Sequence, residues 1–345
     1  MRVRGEGAGA PPLPSVGRDA PVAIVGAGPC GLAAAVALTE SGIPNRVFEK
    51  ATLVSSIVNY PTKLIFFSTP EKLVIGGVPF DCRGERPTRR EGIDYYLAVA
   101  ERHALNVCEH ELVTRVERAG DEFVVHTAPT GAFAGAAALR TTAARAVVIA
   151  TGYFDYPNML GVPGEALPHV SHRFVEGESA DGHEVVVVGG GNSAVECAME
   201  LARCRARVTL VHYEPGFVSH VIKPWIFPEF KRQVAAGEIT IRWNSRVKAI
   251  EPTVVHVASD GRADTIPAQR VYLMTGYTPR PGLLGELGVA FDPATGIPEH
   301  DPSTMETPVP GVFVAGVLTS GRKANGVFIE NGRGHGALIA AALAK

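Results

Sequence analysis

The chain has 345 residues, long enough for two domains with full hydrophobic cores. Its 33 Lys and Arg against 35 Asp and Glu give a formal net charge of −2, which offers no basic surface for nucleic acid or an anionic membrane. Glycine is abundant at 38 residues and aromatics make up 7%, the balance of an α/β enzyme with many tight turns, and no run of about 18 apolar residues is present to span a bilayer.

Residues 1–20 carry Gly, Pro and Ala without hydrophobic periodicity and lack the apolar core of a secretory signal. They are expected to form a disordered leader on a soluble, cytoplasmic protein. Residues 21–50, PVAIVGAGPCGLAAAVALTESGIPNRVFEK, then read as strand, glycine turn, helix (32–39) and second strand (46–48). Gly26 suits the tight turn, Gly28 close approach of the backbone to a pyrophosphate, and Gly31 the packing of helix on strand, with Pro29 and Cys30 inside the loop. Glu49, 23 residues past Gly26, can accept hydrogen bonds from a ribose diol, and Lys50 follows it.

DEFVVHTA reads as hairpin material, and AVVIATGY (146–153) as a buried strand that breaks at Thr151-Gly152. EVVVVGGGNSAVECAMELA (184–202) then repeats the first pattern, with Gly189, Gly191 and Ala194 at the three loop positions and Asn192 and Ser193 between them. The following strand, RVTLVH, ends at His212. A 2′-phosphate usually calls for Arg or Lys there, but HYEPGFVSHVIK offers His212, a distant Lys223, and an opposing Glu214. VIKPWIFPEF reads as a rigid loop because Pro224 and Pro228 break a helix; its Lys223, Trp225 and Phe227 either line a cleft or cap the domain. VVHVASDGRADTIPA is a hairpin with an Asp260-Gly261 turn, and VYLMTGYTPR (271–280) repeats the strand-to-glycine break at Gly276. GVFVAGVLTSG ends a further strand at Gly316, and a helix starts near Asn331 and Gly332.

Two complete nucleotide loops about 160 residues apart imply two nucleotides that face each other, a flavin dinucleotide on the first and a nicotinamide dinucleotide on the second. The expected fold is α/β, with two Rossmann-like domains of the three-layer ββα type, the second inserted in the first. Residues 21–157 and 282–345 would bind FAD, and 158–281 NAD(P)H. The five cysteines, at 30, 82, 108, 197 and 204, form no close pair and no zinc ligand set, so reduced thiols and no metal are expected.

The whole set resembles the two-dinucleotide-fold flavoprotein reductases, the group of the low-molecular-weight thioredoxin reductases. That resemblance implies FAD on Gly26, Gly28, Pro29, Gly31, Glu49 and Lys50, backed by Thr151 and Gly152. It implies Gly316 near the ribityl chain and Asn331 and Gly332 near the flavin carbonyls; Tyr60, Phe66 and Phe67 either pack on the flavin or belong to the core. Gly189, Gly191, Asn192, Ser193 and Ala194, with His212 and Gly276, would hold NADPH. Two departures narrow the group: no CxxC dithiol occurs anywhere in the chain, and Val317 stands where an Asp normally reaches the ribityl chain.

Between the loops, SSIVNYPTKLIFFSTPEKLVIGGVPF (55–80), VIKPWIFPEF, GPCG (28–31) and GVFIENGRGHG (326–336) resemble the bacillithiol disulfide reductase family. The resemblance implies an NADPH- and FAD-dependent reduction of the disulfide of bacillithiol, a small Cys-glucosamine-malate thiol, through a single cysteine at the position of Cys30. The partner is then a small-molecule disulfide, with neither nucleic acid nor membrane involved, and the assembly a homo-oligomer. Cys30 at a helix N-terminus gains from the dipole, which lowers a thiol pKa, while pyrophosphate charges raise it; the alternative is a small residue filling a crowded turn. His172, in LPHVSHRF, is a candidate acid for the leaving thiolate or a structural histidine. Rival readings are a flavin-containing monooxygenase-like enzyme, a ferredoxin–NADP reductase-like enzyme and a non-catalytic redox sensor.

Overall fold

The computed structural model describes residues 20–134, 139–218, 222–259, 261–323 and 326–345. The expected leader (1–19) and Asp260 of the expected Asp-Gly turn lie outside the described residues. The first unit supplies β1 (Val22–Val25), β2 (Asn45–Phe48), β3 (Val107–Cys108), β4 (Glu111–Ala119), β5 (Glu122–Pro129), β6 (Arg140–Ala144) and β7 (Ala146–Ile149). The chain then crosses to a second unit of β8 (Val170–Ser171), β9 (Glu184–Val188), β10 (Arg207–Val211), β11 (Ile239–Arg242), β12 (Ser245–Ile250), β13 (Val254–Ser259), β14 (Arg262–Pro267) and β15 (Arg270–Leu273). It returns with β16 (Val312–Val314), which pairs in parallel with β7. The first parallel sheet thus runs β16-β7-β1-β2-β3 and the second β11-β10-β9-β15-β8. One unit is inserted in the other.

Each parallel sheet is the middle of three layers, and the valine runs show why. In β9 the side chains alternate between faces, as strand geometry requires. Val185 and Val187 pack with Val195, Ala198 and Leu201 of the helix Asn192–Arg203. Val186 and Val188 pack with Val247, Val255, Val257 and Ile266 of the antiparallel sheet β12-β13-β14. Both faces are covered, so a polar residue on either would lose water without gaining a partner, and the run reads VVVV. In the first unit β1 lies between the helix Pro29–Glu40 on one side and the sheet β4-β5-β6 on the other, with Val113, Val116, Phe123 and Val125 sharing its core.

Three local expectations are corrected. VIKPWIFPEF is not all loop: a helix spans Phe227–Ala235, with Pro228 in its first turn. There the missing N–H has no intrahelical partner to lose and the fixed φ suits the helix. The first helix begins at Pro29 rather than 32 for the same reason. The late helix near Asn331 is a single turn, Ile329–Gly332, followed by His335–Leu343. Among the described residues, no helix is long and apolar enough to cross a membrane.

Candidate active site

The two glycine loops are built alike. Gly26 turns at φ +105°, and a Cβ there would lie 2.6 Å from the Ala150 carbonyl oxygen. Gly189 turns at φ +151°, and its Cβ would lie 2.4 Å from the Met274 carbonyl oxygen. In each unit the first glycine therefore abuts the residue just past a neighbouring strand, Ala150 before Thr151-Gly152 and Met274 before Thr275-Gly276. The strand-to-glycine breaks are the other half of each loop. Gly31 and Ala194 pack beneath: a Cβ on Gly31 would meet the Gly26 carbonyl oxygen at 2.0 Å, and the Ala194 methyl would crowd a Cβ on Gly189 at 2.9 Å. At Gly28 and Gly191 a Cβ would meet nothing within 4 Å. These two glycines face open space, and behind each a 12-residue helix begins, at Pro29 and at Asn192, whose positive dipole end favours an anion.

That space is one cavity of about 2350 Å³. Sites for one small ligand occupy about 300–1,000 Å³, so this one has room for two nucleotides. From the first unit Gly26, Gly28, Pro29, Cys30, Glu49 and Lys50 line it, joined by Phe67, Thr151, Gly152 and Gly316. From the second, Gly189, Gly191, Asn192, Ser193, His212 and Gly276 do so. Open glycines, helix N-termini and this volume fit a pair of dinucleotides.

Glu49 is buried at the end of β2. Its Oε2 accepts the Ala27 N–H at 2.9 Å, and its Oε1 accepts the Ala51 N–H at 3.0 Å and the Ser55 hydroxyl at 3.1 Å. The carboxylate therefore fixes the first loop, and its remaining lone pairs face the cavity. Lys50 pairs with Asp155.

Asn331 and Gly332 stand apart from the cavity wall. The Asn331 side chain closes its own turn, accepting the Phe328 N–H at 2.7 Å and donating to the Gly326 carbonyl at 3.0 Å. Val327, Phe328 and Ile329 line the cavity instead. Gly332 packs on Cys30: a Cβ there would lie 2.9 Å from Sγ, and one on Gly316 would lie 3.1 Å from it. The thiol thus fits between two glycines that leave no room for side chains. Burial pushes it up to about 12, so at neutral pH Cys30 is a thiol and not a thiolate.

His212 is buried, and its ring presses on the second loop, where a Cβ on Gly190 would come within 2.1 Å of it. Burial lowers its pKa more than Glu214, 3.6 Å away, raises it, so the imidazole is neutral and a poor anchor for phosphate. Two cations missed in the sequence lie on the same wall: Arg246, stacked 4.6 Å from the Tyr213 ring centroid, and Lys248. They sit on β12, which follows β10 only after another helix and strand; the bond from the Ser245 N–H to the His212 carbonyl, 2.9 Å, brings β12 beside the loop. No strand-end motif announces them.

His172 has both ring nitrogens sealed from the cavity and without hydrogen bonds; Glu165 stands 3.4 Å from Nε2 and itself holds the Leu160 and Gly161 N–H groups at 2.7 Å each. The ring lines the cavity, but with both nitrogens buried it presents no proton-carrying atom to a leaving group, and the structural role is the one its geometry favours. Within the first unit Tyr60 stacks edge-on with Phe66 and Phe154, at 6.4 and 5.5 Å, and Phe154 meets Tyr277 of the second at 5.3 Å.

Paired dinucleotide loops opening on one cavity define a flavin- and nicotinamide-dependent oxidoreductase. Residues 23–316 match the family model for pyridine nucleotide-disulphide oxidoreductases. Bacilliredoxin reductase Bdr of Bacillus subtilis is 44% identical over 93% of this chain and 97% of its own. The solved bacillithiol disulfide reductase Bdr of Bacillus cereus is 42% identical, with a TM-score of 0.90 over 94% of this chain and 98% of that one. A thioredoxin reductase of T. acidophilum superposes at a TM-score of 0.73 with 26% identity, over 95% and 98% of the two chains. The chain belongs to the pyridine nucleotide-disulphide oxidoreductases, in their bacillithiol disulfide reductase family, and is an FAD-dependent oxidoreductase that draws on NAD(P)H.

Proposed function

We propose that the protein uses NADPH to reduce the disulfide of bacillithiol, with FAD on the first unit (21–157 and 282–345), NADPH on the second (158–281), and Cys30 as the reacting thiol. The observation that carries this reading is the single cavity in which both glycine loops and Cys30 meet. The names of the Bacillus relatives point to the same chemistry, one in terms of bacillithiol disulfide and one in terms of bacilliredoxin. Arg246 and Lys248 favour NADPH over NADH, because they supply beside the second loop the positive charge that a 2′-phosphate requires and that neutral His212 does not.

When bound, FAD supplies a carrier that accepts a hydride from the nicotinamide and passes two electrons to sulfur. The residues of the chain do the rest. The first-turn amides and the open face of Gly28 take a pyrophosphate, and Glu49 takes a ribose. The Cys30 sulfur attacks one sulfur of the disulfide, and its proton passes to the sulfur that leaves. One thiol leaves, and a mixed disulfide with Cys30 remains. Two electrons break that bond, releasing the second thiol and restoring Cys30. The balance is one NADPH and one proton for two thiols, with no second protein cysteine needed.

Anaerobic reduction followed by reoxidation tests the reading. NADPH should bleach the flavin of the holoenzyme, and bacillithiol disulfide should restore its colour. In Cys30→Ala the bleaching should persist while disulfide turnover falls by about two orders of magnitude or more, the scale at which a lost nucleophile registers. Undiminished turnover in that variant would leave Cys30 a packing residue, and no reoxidation of the native enzyme would end the disulfide assignment.

A further inference from the structure

Where the two units meet at the mouth of the cavity, Lys223 stands among three aromatic rings. Its Nζ lies 5.5 Å from the ring centroid of Phe67, 5.9 Å from that of Trp225 and 5.7 Å from that of Phe328. Phe67 and Phe328 belong to the first unit, Lys223 and Trp225 to the second, and all four line the cavity. Trp225 is 46% exposed and Phe328 41%, so the cluster forms a rim open to an arriving molecule. Arg86 stacks its guanidinium 4.3 Å from the Trp225 centroid while its charge is paired with Glu85 at 3.1 Å.

Among the described residues no carboxylate pairs with Lys223. Glu330 accepts the Ser68 hydroxyl at 2.9 Å, Glu229 is bridged by Arg232 at 2.9 Å and Glu200 by Lys63 at 2.6 Å, while Glu196 on the same cavity wall is bonded to no described residue, Lys223 included. Aromatic faces hold an ammonium in place without neutralising it. A positioned, half-buried cation with its charge uncompensated is a binding point for an anion. The backbone N–H of Lys223 donates to Asn192 Oδ1 at 2.8 Å, which ties this point to the start of the second nucleotide loop.

We propose that Lys223, caged by Phe67, Trp225 and Phe328, is the recognition point for a carboxylate of the disulfide substrate, so that the enzyme selects anionic low-molecular-weight disulfides. This rests on the disulfide-reductase reading above. The malate carboxylates of bacillithiol are groups of this kind. The aromatic rim meets the uncharged body of such a molecule, and the ammonium meets its charge.

The test uses the FAD holoenzyme with Lys223→Met, which keeps an unbranched chain inside the cage, and Lys223→Arg, which keeps the charge. Lys223→Met should raise KM for bacillithiol disulfide about tenfold, the loss of one charge-assisted bond. The rate of flavin reduction by NADPH should stay within about twofold, and Lys223→Arg should recover most of the KM. Calorimetric binding to the oxidised holoenzyme should favour dithiodipropionate over uncharged dithiodiethanol, and Lys223→Met should erase that preference. Slowed flavin reduction with an unaltered disulfide KM would assign the cation to the nucleotide and overturn the proposal. So would an effect confined to a protein disulfide substrate, or no charge preference in the native enzyme. If the native enzyme fails to turn over bacillithiol disulfide, the reductase reading falls, and the two dithiol-derived probes still decide the role of Lys223.

Discussion

Glu196 sits in the second turn of the helix Asn192–Arg203 and reaches the cavity wall, where no described residue bonds to its carboxyl. Burial pushes it up to about 7 from an ordinary 4.5, since nothing nearby replaces the water its charged form would lose. A carboxyl with a folded pKa above its unfolded one binds its proton more tightly in the fold, so the fold loses stability as pH rises from about 4.5 through about 7. Glu196→Gln removes that loss. Its Tm should exceed that of the native protein by a few degrees at pH 8, and the two should coincide near pH 4; equal values at pH 8 would show that the carboxyl is solvated after all. The same desolvation governs Cys30, and neither environment could be read from the sequence. Glu196 stands in AVECAME and Cys30 in AGPCG, each beside small residues. What surrounds Cys30 is Gly316 and Gly332, from the far end of the chain.

The helices Pro29–Glu40 and His335–Leu343 pack with their backbones nearly touching, and one glycine permits it. A Cβ on Gly336 would lie 2.5 Å from the Ala33 carbonyl oxygen and 2.7 Å from the Ala34 nitrogen, both main-chain atoms that cannot swing aside. Gly336→Ala should therefore cost about 1–3 kcal/mol, read as a lower urea midpoint with an unchanged m-value. Retention of full stability would mean that the late helix can slide on the early one. In the sequence Gly336 passes for one more glycine in GRGHGALIAAALA. The glycines of the two loops were legible because they recur at fixed offsets between a strand and a helix, a pattern with one backbone solution. Gly336 has no local signature, since its constraint comes from a helix some 300 residues earlier. Pro228 misled for the opposite reason: its local signature is strong, but its meaning depends on whether the helix has already begun.

At the scale of the whole molecule, the two units must hold their loops face to face, and a set of exposed polar contacts joins them beside the aromatic ones. Lys63 of the first unit reaches Glu178 at 2.7 Å and Glu200 at 2.6 Å in the second, and the neighbouring Thr62 N–H donates to the Val175 carbonyl at 2.8 Å. The Cys204 sulfur lies with these two carboxylates, close enough together that the three could grip a cation, and the Lys63 ammonium is bonded to both carboxylates. The lysine is 57% exposed, so salt screens it, whereas the apolar cores within each unit are insensitive to salt. The joint between the units should therefore soften with ionic strength before either unit does. Trypsin provides the measure, since Arg173, just past β8 in the second unit, bonds the Phe154 carbonyl of the first at 3.2 Å across the joint. Lys63→Gln should be cut after Arg173 several-fold faster than the native protein in low salt. Near 1 M salt, where the Debye length falls to about 3 Å, the two should be cut at the same, faster rate. Equal rates in low salt would place the hold on the contact of Phe154 with Tyr277 instead, 5.3 Å between ring centroids, which salt does not weaken.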